Sequence, residues 1–133
     1  MKKRLYVCLI MLTVVSFLFT MTVSAVEPRY SYTNYASSSL SISDNEATCI
    51  SSVSAKSTAT KITATQYLEK KNGTTWSTVS GGTWSDSANG ISLNMFNSKS
   101  NLSSGTYRLR TVIKVYSGTN YESFEKISSE VTN

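Results

Sequence analysis

The chain has 133 residues, of which 40% are hydrophobic and 16% charged, with thirteen Lys and Arg against eight Asp and Glu. It has no histidine, which excludes catalytic pairs of Ser or Cys with His and also imidazole metal sites. The basic residues are scattered and form no dense stripe, so we expect no nucleic-acid partner, because phosphate binding needs clustered Lys and Arg.

The N-terminal segment has the organisation of a secretory signal peptide. Three bases at residues 2–4 precede an uncharged, largely apolar run at residues 5–19, and small residues end at Ala25. We predict that residues 1–25 are removed between Ala25 and Val26, so that the protein is secreted and has no membrane partner afterwards. The alternative is an uncleaved anchor, since about 20 uncharged residues can span a bilayer. Cleavage leaves a net charge of +2.

After the signal peptide, Ser and Thr alternate with apolar residues at the period of a strand with one buried face. We predict that residues 26–36 form an N-terminal arm or first edge strand and that residues 37–133 form the β-sandwich domain. The alternating runs lie, in chain order, at 39–43, 47–55, 61–70, 91–96, 107–116 and near 121–131. With turn signals between them, they predict an all-β antiparallel sandwich of about seven strands. A small barrel is the alternative.

The stretch "LSSGTYRLR", which begins at Leu102, resembles the tyrosine corner of immunoglobulin-like sandwiches. In that motif a tyrosine stands two residues before the second cysteine of the core disulfide. Tyr107 takes the tyrosine position, and Leu109 replaces the cysteine. Cys49 lies where the first cysteine of the pair falls. The resemblance implies that Cys49, Tyr107 and Leu109 are structural core residues, with Cys49 packed opposite Leu109.

The chain also resembles a family of small secreted proteins of Gram-positive bacteria that carry one domain of unknown function. The similarity runs through "RYSYT" (29–33), "SLSIS" and "ATC" (39–49), "TKITATQYLEKKNGTTW" (60–76) and "SSGTYR" (103–108). It implies secretion and a β-rich fold. It implies no activity and no functional residues.

Cys49 is the one cysteine expected after cleavage, and three roles are open to it. A nucleophile needs a nearby base or positive charge that lowers its pKa, and the chain has no histidine to supply one. A disulfide between two copies would give a Cys49-linked dimer. Burial as a small apolar side chain is common for free cysteine. We expect burial, and therefore a monomer.

Three aromatic residues, Tyr67, Trp76 and Trp84, are the candidate ligand-binding residues. Exposed aromatic rings on a sheet that is rich in Ser, Thr and Asn could stack on sugar rings. The alternatives are ordinary cross-strand packing, or a bulge that turns Trp76 into the core.

The placement of these rings depends on the turn at Asn72-Gly73, the strongest hairpin signal in the chain. If these two residues form the turn, Glu69 faces Trp76 and Tyr67 faces Thr78. Tyr67 and Trp76 are then diagonal neighbours on the solvent side of the sheet.

The acidic residues suggest no catalytic or metal site. Residues 44–46 offer three oxygen ligands, too few for calcium, and an Asx turn explains them equally well. Asp86, Glu122 and Glu125 show no partner of the kind that glycoside hydrolysis needs. We expect no enzyme activity, metal or cofactor.

Together these features predict a secreted, non-enzymatic binding module for an extracellular or cell-surface ligand, such as a glycan. The alternative function is a small secreted effector, for example a bacteriocin-like toxin or an inhibitor. Fold alone does not decide between them, because β-sandwiches host many functions.

Overall fold

Strands with alternating buried and exposed side chains make up most of the protein, for which a computed structural model describes residues 29–133. The predicted signal peptide and its cleavage site at Ala25 and Val26 lie outside this range. The strands are β1 (Thr33–Ser43), β2 (Glu46–Ala55), β3 (Lys61–Asn72), β4 (Thr75–Asn89), β5 (Ser92–Lys99), β6 (Thr106–Ser117), β7 (Asn120–Ile127) and β8 (Val131–Thr132). Within residues 29–133 no helix is long and apolar enough to cross a bilayer.

The strands form two antiparallel sheets. One has three strands in the order β1-β2-β5, and the other has the order β4-β3-β6-β7 with β8 also paired to β6. The buried residues of both sheets face each other, as in a sandwich, and the sheets do not join into a barrel. The all-β prediction is therefore confirmed. Because β1 begins at Thr33, the domain boundary that we predicted after residue 36 falls inside this first edge strand.

The start of β6 carries the tyrosine corner that the sequence predicts. Tyr107 is buried, and its hydroxyl donates a hydrogen bond of 2.6 Å to the carbonyl oxygen of Ser103, four residues earlier. This bond holds the loop before β6 against the strand. The corner and the strand order together define an immunoglobulin-like sandwich.

The apolar core is divided into two clusters. The first contains Ala36, Val53, Ala55, Ala59, Ile62, Ala64, Leu93, Met95, Ile113 and Val115. The second contains Leu40, Ala47, Cys49, Leu68, Leu102, Tyr107 and Leu109. Each of β1, β2, β3 and β6 contributes to both clusters, so the division runs across the whole sandwich.

A layer of hydrogen-bonded polar side chains, which we call the polar layer, separates the two clusters: Ser38, Ser51, Gln66, Asn97 and Thr111. On β2, for example, Ser51 lies between Cys49 of one cluster and Val53 of the other. The bonds cross between the sheets and are Ser38–Thr111 (3.0 Å), Ser51–Thr111 (2.7 Å), Gln66–Ser51 (2.8 Å) and Asn97–Gln66 (2.8 Å). No buried side-chain nitrogen or oxygen in residues 29–133 lacks a partner, so this layer avoids the cost of unsatisfied groups.

Glu122 on β7 ties down the segment before β1. Its carboxylate accepts hydrogen bonds from the backbone of Ser31 (2.6 Å) and Tyr32 (2.9 Å) and from the hydroxyl of Thr33 (2.7 Å). Burial alone would raise the pKa of Glu122, but these bonds favour the charged form and the net effect lowers it. Glu122 is thus a structural anchor for the N-terminal edge.

Replacing this anchor should produce a pH-dependent loss of stability. Because the native pKa of Glu122 lies below its ordinary value of 4.5, its stabilisation is complete above that value and disappears as the pH falls through the native pKa. We expect Glu122→Gln to unfold at lower urea concentration than the wild type at pH 7, and the difference to shrink in acid. Glu46→Gln, at an exposed position of β2, is the matched control. A difference that stays constant down to pH 2 would contradict the assignment.

Candidate functional site

Cys49 lies in the second core cluster with Leu68, Tyr107 and Leu109, and its side chain is fully buried. It is a free thiol among the described residues. Burial raises the pKa of this thiol to about 12, so almost none of it is the reactive thiolate at neutral pH. A disulfide between the Cys49 residues of two copies would require this part of the core to open.

The β3–β4 hairpin differs from its predicted register. Gly73, with a φ of 63°, and Thr74 form the turn, and Asn72 pairs with Thr75. Trp76 therefore pairs with Lys71 instead of Glu69. The turn lies one residue later than predicted, which moves the partner of Trp76 by two residues, because Gly73 takes the first turn position, where positive φ is needed, and not the second.

Beyond the turn, a bulge in β4 changes the pairing register of β4 with β3 a second time. Glu69 pairs with Thr78 and Tyr67 with Thr83, so residues 79–82 all lie opposite Leu68. Two glycines make this possible: Gly81 has a φ of 72°, and a Cβ on Gly82 would lie 3.0 Å from the Cβ of Leu68. The prediction that Tyr67 faces Thr78 is therefore wrong.

Tyr67 and Trp76 share the outer face of the larger sheet, but they are not a free aromatic pair. The guanidinium of Arg108 lies 4.3 Å from the ring centre of Trp76, and that of Arg110 lies 4.4 Å from the ring centre of Tyr67. Glu69 lies between the arginines and accepts bonds of 2.9 and 3.1 Å from them. These stacked cations cover one face of each ring.

Glu125 extends this network, since it accepts a bond of 3.1 Å from Arg110. Burial acts to lower the pKa of Arg110, but hydrogen bonds and charge from Glu69 and Glu125 outweigh it and raise the pKa. The sequence suggests no partner for Glu122 or Glu125, but in the structure each carboxylate has a structural role, Glu122 with the segment before β1 and Glu125 with Arg110.

The expected Asx-type turn at Asp44 and Asn45 is a tight turn in which both residues have positive φ.

Trp84 is in a different environment. It pairs with the inward-facing Gln66 and packs, half-buried, against both core clusters. Its ring lines a groove between the free edges of β4 and β5, which has a volume of about 330 Å³. The groove is lined by Trp84, Ser85, Asp86, Asn94, Met95, Phe96 and Asn97. We call it the β4–β5 groove.

The polar groups of the β4–β5 groove are held in place by the fold. The side-chain nitrogen of Asn97 donates to Gln66 of the polar layer at 2.8 Å, and this orients the amide. One oxygen of Asp86 accepts a bond of 2.7 Å from the backbone of Ser87. The other carboxylate oxygen of Asp86 and the side-chain carbonyl oxygen of Asn97 make no hydrogen bond within residues 29–133, so each can accept a hydrogen bond from a ligand.

The groove brings together residues that sequence reasoning did not connect. Phe96, 71% exposed, is the most exposed of the large apolar side chains described. The sequence offers one signal for the site, since Trp84 and Asp86 are close in the chain. They come close to Asn94, Phe96 and Asn97 only because β4 and β5, the edge strands of the two different sheets, lie side by side in the sandwich. No local sequence pattern shows that arrangement.

Within residues 29–133 no group of three or more His, Cys, Asp or Glu side chains is arranged to hold a metal ion. Comparison with protein-family models, with curated proteins and with solved structures finds no match to this chain. The functional argument therefore depends on the geometry of the groove and of the surrounding surface.

The burial of Cys49 predicts an inert thiol in the native protein. We expect no reaction of Cys49 with a thiol-specific reagent at pH 8, and complete reaction in denaturant, because only unfolding exposes the sulfur. Introducing a cysteine by Ser41→Cys, on the exposed face of β1, provides a positive control that should react at once. Labelling of native Cys49 as fast as this exposed position would show that the core assignment is wrong.

Proposed function

We propose that the protein is a secreted, non-enzymatic binding module whose β4–β5 groove holds a neutral saccharide unit of an extracellular or cell-surface glycan. The observation that carries this proposal is the combination of the half-exposed ring of Trp84 with the amide of Asn97, which Gln66 orients. Secretion and membership of the Gram-positive family remain predictions from the sequence.

The groove has the two kinds of group that a sugar requires. The C–H face of a pyranose is apolar and packs on aromatic rings. Trp84 supplies the inward-facing ring, and the exposed Phe96, which alternates with the buried Met95 on β5, adds apolar surface at the edge of the groove. Sugar hydroxyls both donate and accept hydrogen bonds, and amides and carboxylates match them. Asn94, Asn97 and Asp86 provide these groups at the same edge of the sandwich.

The charge of the groove favours a neutral ligand. Asp86 is the one charged residue in its lining, and no Lys or Arg lies there. An acidic sugar would therefore meet a carboxylate without a compensating cation. The outer face with Tyr67 and Trp76 suits a sugar less well, because arginine side chains already stack on those rings.

The test is binding of the purified protein to a panel of neutral glycans and to isolated cell walls, measured by pulldown and by amide NMR shifts. We expect Trp84→Ala to weaken binding by about tenfold or more, since a central aromatic contact is commonly worth over 1 kcal/mol, and Phe96→Ser, at the edge of the groove, to weaken it by a smaller factor. Phe96→Ser is the sharper variant, because Phe96 is mostly exposed and its loss leaves the core intact.

Two substitutions serve as matched controls. Trp76→Ala removes an indole from the outer face, and Tyr35→Ser removes a ring that is 59% exposed on β1. Both should bind glycans like the wild type. The proposal fails if no glycan or cell wall binds, or if Trp76→Ala weakens binding while Phe96→Ser does not.

A further inference from the structure

A second concave site lies beside the bulge of β4, at the end of the sandwich that carries the tyrosine corner. Its volume is about 340 Å³, and its lining comes from the end of β3, the bulge, the end of β5 and the β5–β6 loop. Two lysines, Lys70 and Lys99, are part of this lining, and no Asp or Glu is. We call it the cationic pocket.

Lys70 is held at the pocket by neutral groups. Its ammonium donates a hydrogen bond of 2.7 Å to the hydroxyl of Ser103 and lies 5.7 Å from the ring centre of Tyr107. Its alkyl chain passes so close to Gly105 that a Cβ there would lie 2.5 Å from the Cε of Lys70. The φ of Gly105 is +153°, which also favours glycine. The loop therefore fixes the position of this lysine.

Lys99 reaches the pocket from β5. Its Cε lies 3.6 Å from the position that a Cβ on Gly81 would take, an ordinary van der Waals separation, so the lysine chain runs alongside the bulge. Its ammonium makes one long bond of 3.4 Å, to the backbone oxygen of Ser100. The ion pairs of the described residues involve neither Lys70 nor Lys99, so both charges remain available to a ligand.

We propose that the cationic pocket binds a tetrahedral oxyanion, a phosphate or sulfate group carried on a larger organic molecule. Two ammonium groups supply charge, and the hydroxyl and amide side chains of Ser77, Ser80, Asn101 and Ser103 supply further donors. Lysine acts on phosphate as a point charge, whereas planar carboxylates are matched by the fork of arginine, which the lining lacks.

The cationic pocket has room for more than the oxyanion itself. Its volume of about 340 Å³ is roughly ten times the share of one water molecule, about 30 Å³, so an organic group that carries the phosphate or sulfate also fits. This inference does not depend on the proposed glycan function, because the cationic pocket and the β4–β5 groove have no lining residue in common.

The experiment is an NMR titration of the purified protein with inorganic phosphate, glucose 6-phosphate, acetate and glucose at constant ionic strength. We expect phosphate and its ester to shift amides around Ser80, Asn101 and Ser103, and acetate and glucose to leave them in place. Tighter binding of glucose 6-phosphate than of inorganic phosphate would support an esterified ligand, whereas equal binding would overturn that part of the proposal and leave a site for the free ion.

Lysine variants locate the site. Lys70→Met and Lys99→Met should each weaken phosphate binding by about tenfold, because each removes a charged hydrogen-bond donor. Lys61→Met, at an exposed position of β3 outside the pocket, should have no effect. The proposal would be overturned if both pocket variants kept the phosphate affinity of the wild type. It would also be overturned if the NMR shift changes were spread over residues near lysines elsewhere, or if acetate bound as tightly as phosphate.

Discussion

The hydrogen bonds of the polar layer are the constraint on which the stacking of the two sheets depends. If a strand paired with its neighbour one residue out of register, its buried side chains would point to solvent, so the alternation of apolar and polar residues excludes that error. A register error of two residues keeps the apolar side chains inside, and alternation alone does not exclude it. Such an error would move Ser51 or Gln66 into an apolar cluster and leave buried polar groups without partners. Each unsatisfied group costs about 1–3 kcal/mol, a large share of a total stability of about 5–15 kcal/mol.

The same layer connects the core to the surface that we propose as the binding site. Asn97 lies at one end of the layer, on the edge strand β5, where its amide is oriented by Gln66. Trp84 pairs with Gln66 on the neighbouring free edge. Lys99 follows Asn97 on the same face of β5, about 7 Å further along at the usual strand rise, so the groove and the cationic pocket adjoin. One open side of the sandwich thus carries both candidate sites.

Local patterns in the sequence predict much of this fold and little of the site. Alternation predicts the strands, and the corner motif predicts the burial of Tyr107. The partners of Trp76 and Tyr67 differ from the prediction because the turn at Gly73 and the bulge at Gly81-Gly82, respectively, depend on backbone conformations that alternation does not report. Gln66 and Thr111 stand out in the sequence as polar residues on apolar faces. Their hydrogen-bond partners lie on distant strands, however, and only the packed sheets bring them together.

The most direct test is a double-mutant cycle on the free energy of unfolding with Gln66→Met and Ser51→Ala, which remove the two ends of one bond between the sheets. If the polar layer acts as a unit, each single change should destabilise the protein by about 1–3 kcal/mol. The double variant should then lose less than the sum, with a coupling of about 1 kcal/mol or more. Losses that add to within about 0.3 kcal/mol would contradict the account.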